Sequence, residues 1–549
     1  MTPDLPPVFA QVQRLFHTVR YLRPVQVYGR AAVLLRRVKP DLRPAPPVRE
    51  ASRRWAAPVW RQSTMLGPAS FKFLNEAHAL ASDADWNNEA WPRLWLYNLH
   101  YFDDLDAFGS ESRKDWHNAL IARWLAENPP PAGPGWEPYC LSLRIVNWCR
   151  WAWSGGHLDA AATHSLAVQL RALADQLEVH LLGNHLWANA KALVVGSLFF
   201  MGPEADSWLA TGLRYLRREL NEQVLADGGH FERSPMYHNI IAGDLLDLLE
   251  AALVVPERLP DGLVNEMRRA ARNMVCWAEA MSHYDGEPSF FNDSAMGIAP
   301  PARALRAHLE ALGLSSPGDR EDLLHLRASG YVRAEIGDAL LLADVGDIGP
   351  NYLPGHAHAD TLSFELSLHG RRVLVNSGTS VYEASERRRR ERGTAAHNTV
   401  VVNTADSSEV WSSFRVARRA CTFGTWAKRD AGQLVVEGAH DGYRRLPGRV
   451  DHRRRWTLAV QELVIHDELS GRSETASAYF HFHPDVGLRE IRRGVFLGDV
   501  GGRAFEIAFD GGKAAIEESE WAPEFGLRRA NLCLRVDLDD RQLTSRLKW

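Results

Sequence analysis

The chain has 549 residues, and its 64 Lys and Arg against 68 Asp and Glu give a formal net charge of −4. This balance excludes a generally basic nucleic-acid-binding protein, whose affinity would depend on surplus cations. With 45% hydrophobic and 24% charged residues, the composition is that of a globular protein with a large core, and the length predicts two or three domains.

The first 65 residues (1–65) are interpreted as a lead-in segment, because residues 40–60 are rich in proline. Residues 12–38 form an amphipathic basic stretch, which is either a solvated helix or a helix resting on an anionic membrane. The segment lacks the apolar core and cleavage site of an export signal, so the expected location is the cytoplasm, with the periplasm as the alternative. No segment has the roughly 18 uncharged apolar residues that span a bilayer, so no transmembrane segment is expected.

Residues 66–320 are dominated by apolar residues three and four apart, which is the pattern of amphipathic helices. The clearest runs are 141–153, 165–182, 186–200 and 243–255, each bounded by Gly, Pro, Asp or Asn. They predict successive helices joined by short loops. The spacing leaves open whether these helices stack in a line or curl into a ring.

Residues 321–549 alternate apolar and polar side chains instead, in runs such as YVRAEIGDALLLADV and RRWTLAVQELVIHDEL. Hairpins of this kind bury one face against a second sheet, so the pattern predicts an antiparallel β-sandwich. The boundary is expected within 313–330, where GLSSPGDRED has the composition of a linker. The predicted fold class is therefore α+β and multidomain, with helices first and the sandwich second.

Two polar clusters interrupt the helical half. In GNHLWANAKAL, Asn184 stands at a predicted helix start, where it is either a cap or a neutral donor to an anionic substrate group. In DGGHFERSPMYHNII, Arg233, Tyr237 and His238 surround a helix start that Ser234 would cap. That cluster is either an anion site near a positive helix end or an ordinary capped helix with an interfacial Tyr.

Two further clusters lie in the second half. His356 and His358 are two residues apart with Asp360 nearby, and His397 supplies a third imidazole, so the group is either a metal site or a catalytic or structural cluster. The basic run ERRRRERG at 386–393 is either a solvated surface or an electropositive rim that attracts a polyanion.

These residue types favour some reactions and disfavour others. No G-x-S-x-G elbow or Walker loop is present, which disfavours a serine hydrolase and phosphate chemistry. Glycoside hydrolysis needs two carboxylates, and candidates exist: Asp227, Glu232, Asp285, Glu287 and Asp293. Asn, Tyr, His and Arg together suit β-elimination of a uronic-acid polymer, in which a polar group neutralises the carboxylate beside C5. A Tyr base would need nearby cations to lower its pKa, and the Arg-rich sequence is expected to supply them.

Six segments follow one another along the sequence: LWLYNLHYFDDL, GNHLWANAKAL, DGGHFERSPMYH, DGEPSFFNDS, GHAHADTLSFEL and AAHNTVVVN. Their order and spacing resemble those of the heparinase II/III-like family of bacterial polysaccharide lyases. The resemblance implies an α/α toroid, usually incomplete, followed by an antiparallel β-sandwich, with the active cleft between them. It also implies catalytic roles for Asn184, Tyr237 and His356. The expected partner is an acidic polysaccharide, and the chain more closely resembles the branch associated with capsule and exopolysaccharide production than the secreted degradative lyases.

The same resemblance suggests further contacts. Arg233, His238, Trp136 and Arg392 are expected to bind substrate. The metal position found in some members corresponds to His358, Asn376 and His397. Metal-binding relatives carry Asp where this chain has Asn376. We therefore expect that the protein requires no cofactor, with a bound divalent Zn or Ca ion as the alternative.

Two alternatives to a lyase remain from the sequence. One is a non-catalytic protein that binds an acidic glycan during exopolysaccharide or capsule assembly. The other is a glycoside hydrolase on an α/α scaffold. Oligomeric state, endo or exo action, and the choice of base between Tyr237 and His356 are open at this stage.

Overall fold

A computed structural model describes residues 7–36, 38–315 and 321–549 of the chain. Residues 1–6 and 37 of the lead-in segment, and residues 316–320 of the expected linker, lie outside the described residues. Within the described part, the chain is helical up to Ala311 apart from one small sheet, and it is built mainly of strands from Leu323 onward.

The helices follow the apolar spacing of the sequence. Those in the described residues are α1 (Pro7–Val19), α2 (Pro24–Leu35), α3 (Arg93–Tyr101), α4 (Lys114–Glu127), α5 (Pro138–Trp153), α6 (Ala160–Asp175), α7 (Gly183–Phe199), α8 (Pro203–Gln223), α9 (Pro235–Val254), α10 (Asp261–Ala280), α11 (Ala302–Ala311) and α12 (Glu386–Arg392).

Helix α7 is central to the helical domain. It is buried along nearly its whole length and packs on α5, α6, α8 and α9. A helix that is apolar on every side is stable only when it is enclosed in this way. The predicted run 165–182 is shorter than expected, because α6 ends at Asp175. The Glu178 N–H then donates to Asn189 Oδ1 over 2.8 Å, which ties the following loop back onto α7.

A three-stranded sheet that the sequence did not predict precedes α3. Its strands are β1 (Met65–Gly67), β2 (Ser70–Phe73) and β3 (Glu76–Ala79). Three or four residues are too few for an alternating pattern to be recognised. Helices α3–α11 complete the helical domain. From α5 to α8 and again from α9 to α11 neighbours in sequence pack side by side, and α9 packs on α7.

The second domain consists of antiparallel sheets. A five-stranded sheet runs in chain order through β4 (Leu323–Leu326), β5 (Tyr331–Ile336), β6 (Ala339–Asp344), β7 (Phe364–Leu368) and β8 (Arg371–Leu374). The strands that follow are β9 (Val400–Val402), β10 (Val410–Trp411), β11 (Arg415–Val416), β12 (Thr422–Asp430), β13 (Gln433–Tyr443), β14 (Val450–Ala459), β15 (Glu462–Leu469), β16 (Ala476–His481), β17 (Val486–Arg492), β18 (Val495–Val500), β19 (Arg503–Asp510), β20 (Gly512–Glu524), β21 (Leu527–Leu538) and β22 (Gln542–Lys548).

These later strands form a two-stranded pair, β10-β11, and two larger sheets. One has eight strands in the order β12-β13-β14-β15-β22-β19-β18-β17, and the other has four in the order β20-β21-β16-β9. Their inner faces share one apolar core with the five-stranded sheet, as the alternation in β14 and β15 requires. The predicted fold class, a helical toroid followed by an antiparallel β-sandwich, is confirmed.

Strand β6 joins the two domains. Leu341 points into the sandwich core, whereas Leu340 and Leu342 on the opposite face pack with Trp277 of α10. A strand covered on both faces is buried throughout, which is why β6 carries an almost unbroken apolar run. The contact holds the helical domain against the sheets, so that a cleft remains between them.

No helix among residues 7–36, 38–315 and 321–549 has both the length and the apolar composition that crossing a bilayer requires.

We predict that Trp277→Ala destabilises the protein by about 3–5 kcal/mol, because it leaves a cavity at the contact between the domains. Trp277 is 1% exposed and its Nε1–H donates to Ser329 Oγ over 2.9 Å. Denaturant unfolding measures the change. Phe423→Ala on β12 is the control, since that ring is 36% exposed. Equal losses in the two variants would contradict the proposed role of Trp277.

Candidate active site

The candidate site is a cleft of about 1230 Å³ between the helical domain and the sheets. Helices α3, α5, α7 and α9 line one side, the loop 351–356 with Tyr382 and Phe414 lines the other, and α1 and α2 border it. Asn184, Tyr237 and His356, which come from different parts of the sequence, all line this cleft.

Asn184 lies in the first turn of α7. Leu182, with a φ of 63°, and Gly183, with a φ of 53°, turn the chain into the helix. A Cβ on Gly183 would lie 2.5 Å from Leu353 Cδ2, so a larger residue would have to displace that side chain, and the positive φ also favours glycine. The Asn184 N–H donates to Glu232 Oε1 over 3.4 Å. The helix begins at Gly183, its N-cap position is Leu182 and no side chain caps it, so the alternative that Asn184 is a capping residue is wrong.

Tyr237 lies in the first turn of α9. Ser234 caps this helix as the sequence predicted, with its Oγ accepting the Tyr237 N–H over 3.1 Å. The Tyr237 ring stacks on the His356 ring with 3.8 Å between centroids, and its hydroxyl is 3.1 Å from the Tyr382 hydroxyl. Burial, together with the neighbouring Tyr382, raises the pKa of Tyr237 well above its usual value. The expectation that nearby cations lower this pKa is therefore wrong.

His356 is held by a buried carboxylate. Its Nδ1 is 2.9 Å from Asp293 Oδ2, while its Nε2 faces the cleft at 3.7 Å from Glu232 Oε2. Burial alone would raise the pKa of Asp293, but the Arg388 guanidinium and the bonds from His356 and His358 hold it well below its usual range. An ionised carboxylate only accepts hydrogen bonds, so Nδ1 carries a proton and Nε2 of the neutral ring has a free lone pair.

Arg388 completes the support of this carboxylate. It is fully buried on α12, and both terminal nitrogens of its guanidinium donate to Asp293, one of them over 2.7 Å. Arg392, one turn further along α12, is also buried and donates to the carbonyl oxygens of Ala357, Ser412 and Ser413. The basic run is thus neither fully solvated nor an open rim. Residues four apart share a helix face, and here that face points inward.

Four residues expected to bind substrate lie away from the lining of the cleft. Trp136 is buried and its Nε1–H donates to Asn128 O, while His238 is buried with its Nε2 at 2.8 Å from Met274 O. The Arg392 guanidinium is bonded to carbonyl oxygens, as described above. Arg233 takes a φ of 60° and its guanidinium donates to Asp347 O. Trp136, His238 and Arg392 already bond carbonyl oxygens, and Arg233 bonds one through Nη1 while its Nε is buried without a partner. Since none of the four lines the cleft, these expected contacts are corrected.

The expected metal ligands are close together but form an incomplete set. The rings of His358 and His397 are 5.3 Å apart, and both nitrogens of His397 and Nδ1 of His358 are buried without hydrogen-bond partners. Asn376 Oδ1, however, already accepts the Asn398 N–H over 3.1 Å. The described residues contain no cluster of three His, Cys, Asp or Glu side chains suited to a metal ion. Two imidazoles and an amide oxygen that is already bonded to Asn398 leave at most two free ligands in this trio, fewer than the three protein ligands of a catalytic zinc site, and no step is assigned to a metal.

The helical wall of the cleft carries charges that neutralise one another. Lys191 Nζ lies 2.6 Å from a carboxylate oxygen of both Asp244 and Asp247, and Arg150 Nη1 is 3.3 Å from Asp247 Oδ2. The Arg61 guanidinium is 3.7 Å from Asp103 Oδ1. These pairs were not predicted, because the two members of each pair are more than 40 positions apart in the sequence.

Three carboxylates proposed for a hydrolase are committed to other partners. Asp227 accepts the Ser329 N–H over 2.7 Å, Asp285 binds Arg372, and Asp293 binds Arg388. Glu232 and Glu287 line the cleft, and burial raises the pKa of both. The geometry therefore favours the His356 and Tyr237 pair over a pair of carboxylates.

We predict that Asp293→Asn destabilises the protein by about 3 kcal/mol near neutral pH, because Arg388 loses its charged partner in a buried site. Because the folded state lowers the pKa of Asp293, its contribution is complete above about pH 5 and is lost as the pH falls. Denaturant unfolding as a function of pH measures both effects. Asp285→Asn, whose side chain is 42% exposed, is the matched control and should cost clearly less. A pH-independent or negligible difference would contradict the assignment.

Comparison with known proteins agrees with the division into a helical domain and a domain of antiparallel sheets. Residues 123–305 match the family described as heparinase II/III N-terminus, and residues 318–549 match the family described as heparinase II/III-like, C-terminal. Among solved structures, the crystal structure of heparinase III superposes with a TM-score of 0.65 at 16% identity, covering 87% of this chain and 79% of that one.

Two curated relatives illustrate the range of the matches. The FtsZ-localized protein C of Caulobacter vibrioides is 28% identical over 460 residues, which cover 76% of this chain and 74% of the relative. The heparin-sulfate lyase of Bacteroides stercoris is 25% identical over 333 residues, which cover 56% of this chain and 46% of that enzyme. The match to that lyase thus spans about half of its length. Since the two family matches together cover most of the sequence, the chain belongs to the heparinase II/III-like family.

Proposed function

We propose that the protein is a polysaccharide lyase that cleaves a uronic-acid-containing polysaccharide by β-elimination, with His356 as the base and Tyr237 as the acid. The observation that carries this assignment is the stacked pair itself. The His356 ring is oriented through Nδ1 by Asp293, which leaves Nε2 as the nitrogen to accept a proton, and Tyr237 has a hydroxyl whose pKa burial raises. The family membership and the heparin-sulfate lyases among its relatives support a polysaccharide lyase.

The first step requires the C5 proton to become acidic. That carbon lies beside a carboxylate, so the developing anion is stabilised only if the carboxylate charge is neutralised. Asn184 lines the cleft, and its side-chain amide makes no hydrogen bond to another side chain or carbonyl within the described part of the chain. We assign this amide to the substrate carboxylate. The Glu232 carboxyl, whose pKa burial raises, adjoins it and carries less negative charge than an exposed carboxylate would.

The proton transfers then follow from the protonation states. His356 Nε2 takes the C5 proton, and the imidazolium that forms is stabilised by Asp293 through Nδ1–H. The electrons of the C5–H bond form the C4=C5 double bond as the C4–O4 bond breaks. Tyr237 O–H donates its proton to the departing O4, and the Tyr382 hydroxyl at 3.1 Å is placed to pass a proton back to Tyr237.

The charge of the cleft points to a substrate class. The cations beside Asp244 and Asp247 on the helical wall are paired with carboxylates, so this part of the cleft offers no free cation to a sulfate group. The lining cations without an ion pair among the described residues, Arg30, Lys72, Arg415 and Arg419, belong to other segments. We therefore propose an unsulfated uronic-acid polymer, such as an exopolysaccharide, in which one carboxylate per repeat meets Asn184. Adding sulfate groups would bring negative charge next to Asp244, Asp247 and Glu287.

A second candidate is a non-catalytic glycan-binding protein. The match to the FtsZ-localized protein C, which covers most of both chains, favours this candidate, because that relative is named for localisation with FtsZ rather than for an activity. The two candidates share the cleft and differ in whether the hydroxyl of Tyr237 transfers a proton.

We predict that Tyr237→Phe lowers kcat by about 10²–10⁴-fold while substrate affinity changes little, because only the proton donor is lost. The ultraviolet absorbance of the unsaturated product measures turnover on a panel of uronic-acid polymers. Tyr443→Phe is the matched control, since that buried hydroxyl bonds Val400 O inside the sandwich. Reducing ends without an absorbing product would identify a hydrolase, and glycan binding without turnover in the unmodified protein would identify the binding protein.

We predict a preference for unsulfated over sulfated polymer of the same backbone, by at least about tenfold in kcat/KM, because like charges in the cleft oppose the sulfates. Heparosan and heparan sulfate are a suitable pair of probes. Lys72 lines the cleft and has no carboxylate partner among the described residues, so Lys72→Gln should weaken any residual action on the sulfated polymer first. Faster cleavage of the sulfated member would overturn the proposed substrate class but not the lyase assignment.

A further inference from the structure

The N-terminal helices α1 and α2 leave an unusual number of large apolar side chains in contact with solvent. The exposed ones in residues 12–35 are Val12, Leu15, Phe16, Val19, Val27, Tyr28, Val33, Leu34 and Leu35. Leu34 and Leu35, at the end of α2, are 86% and 85% exposed. The surface of a soluble protein rarely has so many exposed apolar side chains in one segment unless another molecule covers them. We refer to residues 12–36 as the N-terminal patch.

The charges of the same segment have one sign. Between Asp4 and Asp41 the sequence contains no Asp or Glu, and the patch carries Arg14, Arg20, Arg23, Arg30 and Arg36, of which Arg23 pairs with Glu222. The whole chain has a net charge of −4, so this concentration of cations is local. Apolar side chains interspersed with arginines are typical of helices that lie in the interface of an anionic bilayer.

The patch has a fixed orientation because polar contacts hold its inner side. Trp411 Nε1–H donates to Thr18 Oγ1 over 3.1 Å, and Gln26 Nε2–H donates to Tyr352 O over 3.0 Å. Gly29 lies so close to His180 that a Cβ would be 2.6 Å from the His180 Cβ. Gln26 and Gly29 are the buried positions of α2, so Val27, Leu34 and Leu35 are directed away from the body of the protein.

We propose that the N-terminal patch docks the protein on an anionic lipid surface. The apolar side chains enter the boundary between headgroups and acyl chains, and the arginines bind lipid phosphates. The adjacent apolar side chains of Val33, Leu34 and Leu35, followed by Arg36, form the tip that inserts. Leu15 and Val19 also line the mouth of the cleft, so docking would place the cleft beside the membrane.

A lipid surface fits these observations better than a protein partner. The exposed residues are spread along two helices and end in a tip at Leu34 and Leu35, and of these exposed apolar residues only Leu15 and Val19 border the cleft. The absence of acidic side chains in the sequence from residue 5 to residue 40 removes the charges that an anionic bilayer would repel.

Co-sedimentation of the full chain with vesicles tests the proposal. We expect binding to vesicles of equal parts phosphatidylglycerol and phosphatidylcholine, and at least about tenfold weaker binding to pure phosphatidylcholine. Replacing both leucines, Leu34→Asp with Leu35→Asp, should lower binding by at least about tenfold. Arg14→Gln and Arg36→Gln should each lower it about fivefold, and high salt should reduce the effect of these two changes.

Val460→Asp is the matched control, since that side chain is 61% exposed on the sheet domain and lies outside the patch. It should leave vesicle binding unchanged. The exposed positions chosen make little contact with the core, and circular dichroism with a melting curve verifies that each variant is folded. Absence of vesicle binding in the unmodified protein would overturn the proposal, as would full binding by the double leucine variant. Self-association that the leucine change abolishes, without vesicle binding, would instead identify the patch as an interface between copies.

Discussion

The pairing of Asp293 with Arg388 is the interaction on which the site depends. Asp293 follows α10 at the end of the helical domain, and it is fully buried where an ionised carboxylate is unstable without a partner. Arg388, His356 and His358 reach it from the sheet domain. One buried charge thus joins the two domains, fixes the histidine tautomer and holds α12 in place. Breaking it would disturb all three at once, because the groups share a single acceptor.

The arrangement explains why the base and the acid meet face to face. Tyr237 comes from the first turn of α9, which Ser234 caps, and His356 comes from a loop of the other domain. Their rings stack because the contact of α10 with β6 sets the distance between the domains. A weaker contact there would widen the cleft and separate the two rings, so the packing of Trp277 and the chemistry of the cleft are linked.

Much of the fold could be read from the sequence, since the change of apolar period separates helices from strands. Asn184, Tyr237 and His356 were identified by resemblance, and the structure brings them to one cleft. Asp293 was considered only as a hydrolase carboxylate, and Tyr382 was missed. Neither has a local signal, because Asp293 is 63 residues from His356 and Tyr382 is 145 residues from Tyr237. Such partners are brought together by tertiary packing, which the spacing of apolar residues in the sequence does not reveal.

The expected contacts that proved wrong share one physical reason. Trp136, His238 and Arg392 belong to sequence motifs that were expected to form the cleft. Each side chain instead turns inward and donates a hydrogen bond to a carbonyl oxygen. The spacing of Arg388 and Arg392, four residues apart on a short helix, was the available sign that one side of the basic run is buried. The β1–β3 sheet was missed because its strands are too short to show alternation.

Nitrogen-15 NMR of histidine-labelled protein tests the central claim most directly, with His356→Gln used to assign the resonance. The account predicts that neutral His356 carries its proton on Nδ1, with a downfield proton shift from the bond to Asp293. A neutral ring protonated on Nε2 would contradict it, because that nitrogen would then have no lone pair to accept the C5 proton.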